Sequence, residues 1–275
     1  MNDAAGPVSD QPSFSGQDMF QPVTPWPMPE RDDCVFYHTL DLPDGEVIRA
    51  AWDIRGLFHD YIGGYHIAGK TVLDVGAASG FLSFEAERAG ATVTSLEARS
   101  ALDFTQVPHS ASDYLQDRNR FLQSTDEILG RLKSSYWYGW HRIGSQAEVV
   151  YAPLAELSRW ERRFDVVIAG AITEHLSDPV TAIGNLTVLA REAVIIAFDP
   201  VVDSDEETLT AGPNWAALKP RADHTWYFLS RGLYRRVFDN LGFDVEFVDS
   251  HAIALFAGET EPTRRTTVIA RRRPG

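Results

Sequence analysis

The apolar positions fall into short, nearly continuous runs that alternate with stretches of helical period. Runs at 71–75, 92–97, 147–151, 164–170 and 192–198 are apolar almost throughout, as strands buried on both faces are. After the first, FLSFEAERAG places Leu82, Ala86 and Ala89 at helical spacing, with Phe81 and Phe84 widening the face and Gly90 closing it. Further on, Ser230 caps RGLYRRVFDNLG, Gly242 stops it, and two more strands follow at 243–248 and 265–272. This alternation predicts an α/β domain with a mostly parallel sheet and helices on both faces. Ahead of it, CVFYHTLDLP reads as an extended segment. AAWDIRGLFHDYIGG reads as an amphipathic helix carrying Trp52, Ile54, Leu57, Phe58 and Tyr61, stopped by Gly63 and Gly64.

Residues 1–33 hold six prolines among Ser, Asp and Gln and predict a flexible tail, so the domain is expected to occupy 34–275. Two insertions interrupt the alternation. Residues 99–146 are expected to hold more than one helix and include Tyr136, Trp137, Tyr138, Trp140 and His141, an aromatic density read as core. Residues 200–229 open on Asp203, Asp205, Glu206 and Glu207 and end in RADHTWYFL; a loop this long at the carboxyl edge of a sheet suggests a functional role.

With 44% hydrophobic residues, the 275-residue chain has material for a large core. No apolar run approaches a membrane span, and the N-terminus lacks the basic start and apolar stretch of a secretory signal. Cys34 is the single cysteine, which excludes an internal disulfide and fits a reducing, cytoplasmic setting. The net charge of −14 lacks the basic field that nucleic-acid affinity needs.

The candidate chemistry begins at VLDVGAASG (72–80), an apolar strand ending in a glycine-containing turn that opens a helix. Such a turn presents backbone N–H groups at the positive end of a helix dipole. Gly76 and Gly80 are separated by three residues, which is not the G-x-G-x-x-G of a pyrophosphate cradle, and Asp74 would repel a pyrophosphate. Asp74 suits a ligand with a cationic amine, and Glu97, ending the second strand, is placed to accept from ribose hydroxyls. S-adenosylmethionine has both features.

These residues resemble the first motif of the class I S-adenosylmethionine-dependent methyltransferases. The resemblance implies a Rossmann-like sheet of seven strands with the last antiparallel, and a cofactor site at Asp74, Gly76, Ala78, Gly80 and Glu97, with Ala78 replacing the usual middle glycine. GAITEHLSDP (170–179) resembles the E-H-L-x-D-P stretch of many methyltransferases acting on small molecules. It places Ala171 beside the cofactor and offers His175 either as a general base or as a packing residue. Arg55 is a candidate for the cofactor's carboxylate, and Tyr37 and His38 are further pocket candidates. Related enzymes place a Glu-His pair from this loop on a metal with a preceding acid, a position occupied here by Ala171, so no metal is expected. An acid usual after the third strand is replaced by Tyr151-Ala152-Pro153, which leaves adenine to backbone or to Ser145 or Gln146. WDIRG, the first motif and HTWYFLSRGLYRRVFDNLGF are also loosely similar, over residues 50–250, to tRNA wobble-uridine carboxymethyltransferases and their uncharacterised relatives. With the acidic charge, the expectation is methyl transfer to oxygen or nitrogen of a small acceptor lined by Arg221, His224, Trp226 and Tyr227, with His224 as a second catalytic candidate. Alternatives are a tRNA wobble-base enzyme and a non-catalytic cofactor-binding partner subunit. A homodimer is compatible with each reading.

Overall fold

The computed structural model describes residues 18–104, 116–211 and 226–275. A short hairpin, β1 (Leu40–Asp41) and β2 (Val47–Ile48), and β3 (Trp52–Asp53) precede the one-turn helix α1 (Phe58–Tyr61). The alternating part follows: β4 (Thr71–Val75), α2 (Phe81–Arg88), β5 (Thr92–Glu97), α3 (Arg118–Ile143), β6 (Glu148–Tyr151), β7 (Phe164–Gly170), α4 (Pro179–Leu189) and β8 (Ala190–Asp199). A second hairpin, β9 (Leu209–Ala211) with β10 (Tyr227–Leu229), leads to α5 (Arg231–Asn240), β11 (Phe243–Ala254) and β12 (Thr263–Arg272).

The main sheet has the order β3-β11-β12-β8-β7-β4-β5-β6. Strands β6, β5, β4, β7 and β8 are mutually parallel, and β12 runs antiparallel between β8 and β11. The sheet therefore has eight strands rather than the expected seven. The extra one is β3, whose Trp52 and Asp53 pair with Ala254 and Ile253 because β11 runs well past the expected end at 248. The predicted helix over 50–64 survives only as α1. Gly56, at φ +71°, breaks the helical period, and Asp53 accepts from the Arg55 N–H in a tight local turn.

The core lies in two layers. On one face Val72, Ile168 and Ile195 pack with Phe81 and Phe84 of α2 and Tyr136 and Trp137 of α3. On the other, Leu73, Val167 and Val194 pack with Ile183 and Leu186 of α4 and Tyr234 and Phe238 of α5. The aromatic density of the first insertion is thus core, with Tyr136, Trp137 and Tyr138 all buried. Its described part is a 3₁₀ turn at Ala101–Asp103 and one 26-residue helix, α3, capped by Asp117 and ended by Gly144 at φ +75°. In the second insertion, Asp203, Asp205 and Glu207 pair with Arg231, Arg235 and Arg236 of α5, which fastens the acidic run to the helix it precedes.

Of the segment expected to be a flexible tail, residues 18–26 run as a strap along β6, and residues 31–33 lie on α3. Phe20 is buried and stacks on Trp160 with ring centres 5.1 Å apart, Val23 donates its N–H to the Val149 carbonyl at 2.8 Å, and Trp26 packs on Trp137 and Tyr151. No helix among the described residues is long and apolar enough to cross a membrane.

Candidate functional site

The turn between β4 and α2 is held from three sides. Gly76 and Gly80 sit at φ +78° and +92°, and Ala78 shares the left-handed region at +48°. The Gly76 and Ala77 N–H groups donate to the Leu96 carbonyl at 2.9 and 3.1 Å. Glu97 clasps the turn from β5: Oε2 accepts from the Ala78 N–H at 2.9 Å and Oε1 from the Ala98 N–H at 2.7 Å. Burial pushes the Glu97 carboxyl above its ordinary range against these bonds. Ser79 Oγ accepts from the Tyr37 and His38 N–H groups, so the extended segment before β1 lies over the turn. The His38 ring is buried against Phe81, and burial lowers its pKa to about 4, which keeps it neutral.

Asp74 lies one residue before the end of β4 and is buried. Its Oδ2 accepts from Ser83 at 2.6 Å, Ser83 meets Ser95 at 2.6 Å, and Ser95 meets the Tyr136 hydroxyl at 2.7 Å. Its Oδ1 is buried with no partner among the described residues. Burial, with the Glu97 charge adding, pushes the carboxyl up to about 7 against the Ser83 bond. A buried, unpartnered acceptor beside a glycine turn is suited to a cationic donor.

The neighbouring strands β7 and β8 carry left-handed residues at their carboxyl ends: Ala171, just after β7, at φ +49°, and Phe198, the penultimate residue of β8, at +56°. Ala171 donates to the Ala197 carbonyl at 2.8 Å, and Ile172 leans toward Gly76, where a Cβ would come within 2.9 Å of its methyl. The next residues form a 3₁₀ turn, Thr173–His175. Thr173 is hydrogen-bonded to Asp199, and Glu174 is buried and paired with Arg265 at 2.6 Å. The Arg265 guanidinium lies 4.8 Å from the Phe198 ring centre. His175, the last residue of this turn, is exposed. Asp178 caps α4 by accepting from the Thr181 N–H, with Pro179 in the first turn, which gives the D-P of this segment a structural role.

Asp199 accepts from the Tyr234 hydroxyl at 2.7 Å, and burial pushes its carboxyl up to about 7. Tyr234→Phe is expected to cost about 1–3 kcal/mol, because a buried carboxyl oxygen loses its donor; chemical denaturation measures it, and a change below ~0.5 kcal/mol would contradict the assignment.

Other expected site residues are placed elsewhere. Arg55 bonds Asp53 through Nε and Nη2 and Asp41 through Nη1, so its guanidinium is engaged by two acids. Ser145 and Gln146 bond Glu87, in the last turn of α2, and precede β6, so they sit at the amino edge of the sheet, at the opposite end of the strands from the turn. Trp226 is buried with its backbone N–H on the Glu174 carbonyl, and Tyr227 is half-buried in β10. Arg221 and His224 lie outside the described residues. Ser83, Ser95, Arg265 and Asp199 were not singled out from sequence, and Tyr136 was read only as core, because they come together from separate segments and carry no motif.

A family model described as a methyltransferase domain matches residues 53–247, which contain the turn, the clasp and the Thr173–His175 segment. The chain belongs to the methyltransferase domain family. No curated protein matches this methyltransferase in sequence. Among solved structures it is similar to magnesium protoporphyrin IX methyltransferase from Synechocystis PCC 6803 with bound SAH, at 15% identity and TM-score 0.49 over 80% of this chain and 82% of that one. It is also similar to 1,6-didemethyltoxoflavin-N1-methyltransferase from Burkholderia thailandensis, at 16% identity and TM-score 0.43 over 80% and 76%. A third is an S-adenosylmethionine-dependent methyltransferase from Mesorhizobium loti, at 13% identity and TM-score 0.47 over 80% and 97%.

Proposed function

We propose that this methyltransferase uses S-adenosylmethionine to methylate an oxygen or nitrogen of a small acceptor. The observation that carries the reading is the unpartnered Asp74 Oδ1, buried beside the Gly76–Gly80 turn. The residues fit the cofactor: Asp74 offers an acceptor for its ammonium, the turn presents glycine backbone at Gly76 beside it, and Glu97 retains lone pairs for ribose hydroxyls. When bound, the cofactor supplies an electrophilic methyl carried on a sulfonium.

The protein's own part is mainly positioning, through a turn fixed by Leu96, Glu97 and Ser79. His175, exposed beside it, takes the proton that the acceptor's O–H or N–H gives up and passes it to solvent. The acceptor side includes Tyr227 and Arg265. The net charge of −14 supports a small acceptor over a tRNA, since a nucleic acid would be repelled at long range.

Calorimetry with S-adenosylhomocysteine tests the core of this reading, and an absence of heat at millimolar ligand would remove it. His175→Ala is expected to leave that affinity unchanged and to lower kcat by about 10²-fold. Unchanged turnover would take the base role away from His175.

A further inference from the structure

The gap between the carboxyl ends of β5 and β6 holds a lysine. Lys133 comes from α3, is buried, and donates from Nζ to the Arg99 carbonyl, two residues past the end of β5, at 2.7 Å. The same Nζ lies 4.3 Å from the ring centre of Tyr151, the last residue of β6. One ammonium thus touches both strand ends. Its aromatic wall is fixed, because the Tyr151 hydroxyl accepts from Trp137 Nε1 at 2.9 Å and Trp26 packs on the ring. Neither Tyr151 nor the following Ala152 and Pro153 carries a charge.

A ligand whose amine is at Asp74 on β4 and whose ribose is at Glu97 on β5 is laid across the sheet in the order β4-β5-β6. Its base then extends toward the gap where Lys133 sits. An ammonium has three N–H donors and no acceptor, and among the described residues one of the three is spent, on Arg99. We propose that Lys133 is a cofactor-binding residue that reads a ring-nitrogen acceptor of the adenine, with Tyr151 as the adjoining wall. This rests on the S-adenosylmethionine reading above. A carboxylate in this place would read the exocyclic amine; a lysine selects for a ring nitrogen.

The test is calorimetry of the full chain with S-adenosylhomocysteine and its 1-deaza, 3-deaza and 7-deaza analogues, each of which replaces one ring nitrogen by C–H. One analogue is expected to bind about tenfold or more weakly than the parent ligand, as loss of a charge-assisted hydrogen bond implies. In Lys133→Met the parent ligand weakens by a similar factor, and the discrimination between the two ligands disappears. Three deaza analogues that all bind like the parent, or a discrimination that persists in Lys133→Met, would overturn the proposal while leaving the cofactor reading in place. If Lys133→Met fails to fold, the analogue series on the unmodified chain still decides, together with Lys133→Arg, which keeps the donors and should keep the discrimination. Failure of S-adenosylhomocysteine itself to bind would instead remove both readings.

Discussion

Gly80→Ala is expected to destabilise the protein by about 3 kcal/mol and to lower Tm by roughly 6–12 °C. Two costs add. Gly80 sits at φ +92°, which alanine adopts only with strain. A Cβ there would also lie 2.4 Å from Phe84 Cζ and 3.0 Å from Tyr136 Cδ2. The Phe84 ring cannot swing away cheaply. It is buried against Tyr136, and Gly139 of α3 approaches the same edge of the ring, where a Cβ would come within 2.9 Å of it. Overpacking therefore moves the start of α2, and with it the turn, so S-adenosylhomocysteine affinity should fall along with Tm. Thermal melting and calorimetry read the two effects; a variant with unchanged Tm would show that the ring is not wedged as described.

Asp74→Asn is expected to weaken S-adenosylhomocysteine binding about 10²-fold at pH 8, since the cationic amine would meet a neutral amide where the parent offers a buried carboxylate. The pH dependence follows from the raised carboxyl. With its pKa pushed up to about 7 by burial and the nearby Glu97, Asp74 is largely protonated below neutrality. Binding a cation favours the ionised form, so affinity should rise with pH up to about 7, by at most tenfold per unit, and level off above it. The variant should lose this slope. Stability runs the other way. The folded state holds its proton to a higher pH than the unfolded state, so this contribution is fully present below the unfolded pKa near 3.8 and is lost as pH rises through about 7. Asp199, also raised to about 7, acts in the same direction. His38, lowered to about 4, acts in the opposite direction, so the test is the difference: denaturation from pH 4 to pH 8 should show the stability of the parent relative to Asp74→Asn falling as pH rises. A parent affinity flat across pH 6–8 would contradict the role given to Asp74.

The parallel half of the fold was legible because its strands are buried on both faces and leave unbroken apolar runs. β4, β5 and β7 begin and end where the pattern placed them. The amino-terminal layer misled for a specific reason: Trp52, Ile54, Leu57, Phe58 and Tyr61 keep helical spacing, yet Gly56 and the Asp53–Arg55 pair divide them between a strand and a single turn. β11 and β12 outran their expected lengths, because their outer halves have mixed burial and lack a continuous apolar signal. At the site, Asp74, Gly76, Gly80 and Glu97 were readable since one strand–turn–helix and the next strand carry them. The Ser83–Ser95–Tyr136 chain behind Asp74 joins three elements through ordinary serines and a tyrosine. Ser145 and Gln146 were sought near the right strand but precede it, and a parallel strand has its ligand edge only at its carboxyl end.

The strap over β6 has a consequence for how these molecules meet one another. An open sheet has two margins, and each is a row of unpaired peptide groups able to recruit a strand from a neighbouring chain. Here one margin ends in β3, too short at two residues to template much. The other ends in β6, where Val23 donates to Val149 while Phe20 and Trp26 are seated on aromatic rings nearby. The proline-rich composition that marks this stretch as a poor former of regular structure also makes it a poor strand for others to copy. It acts as a selvage, finishing the edge of the sheet with chain that cannot itself be extended.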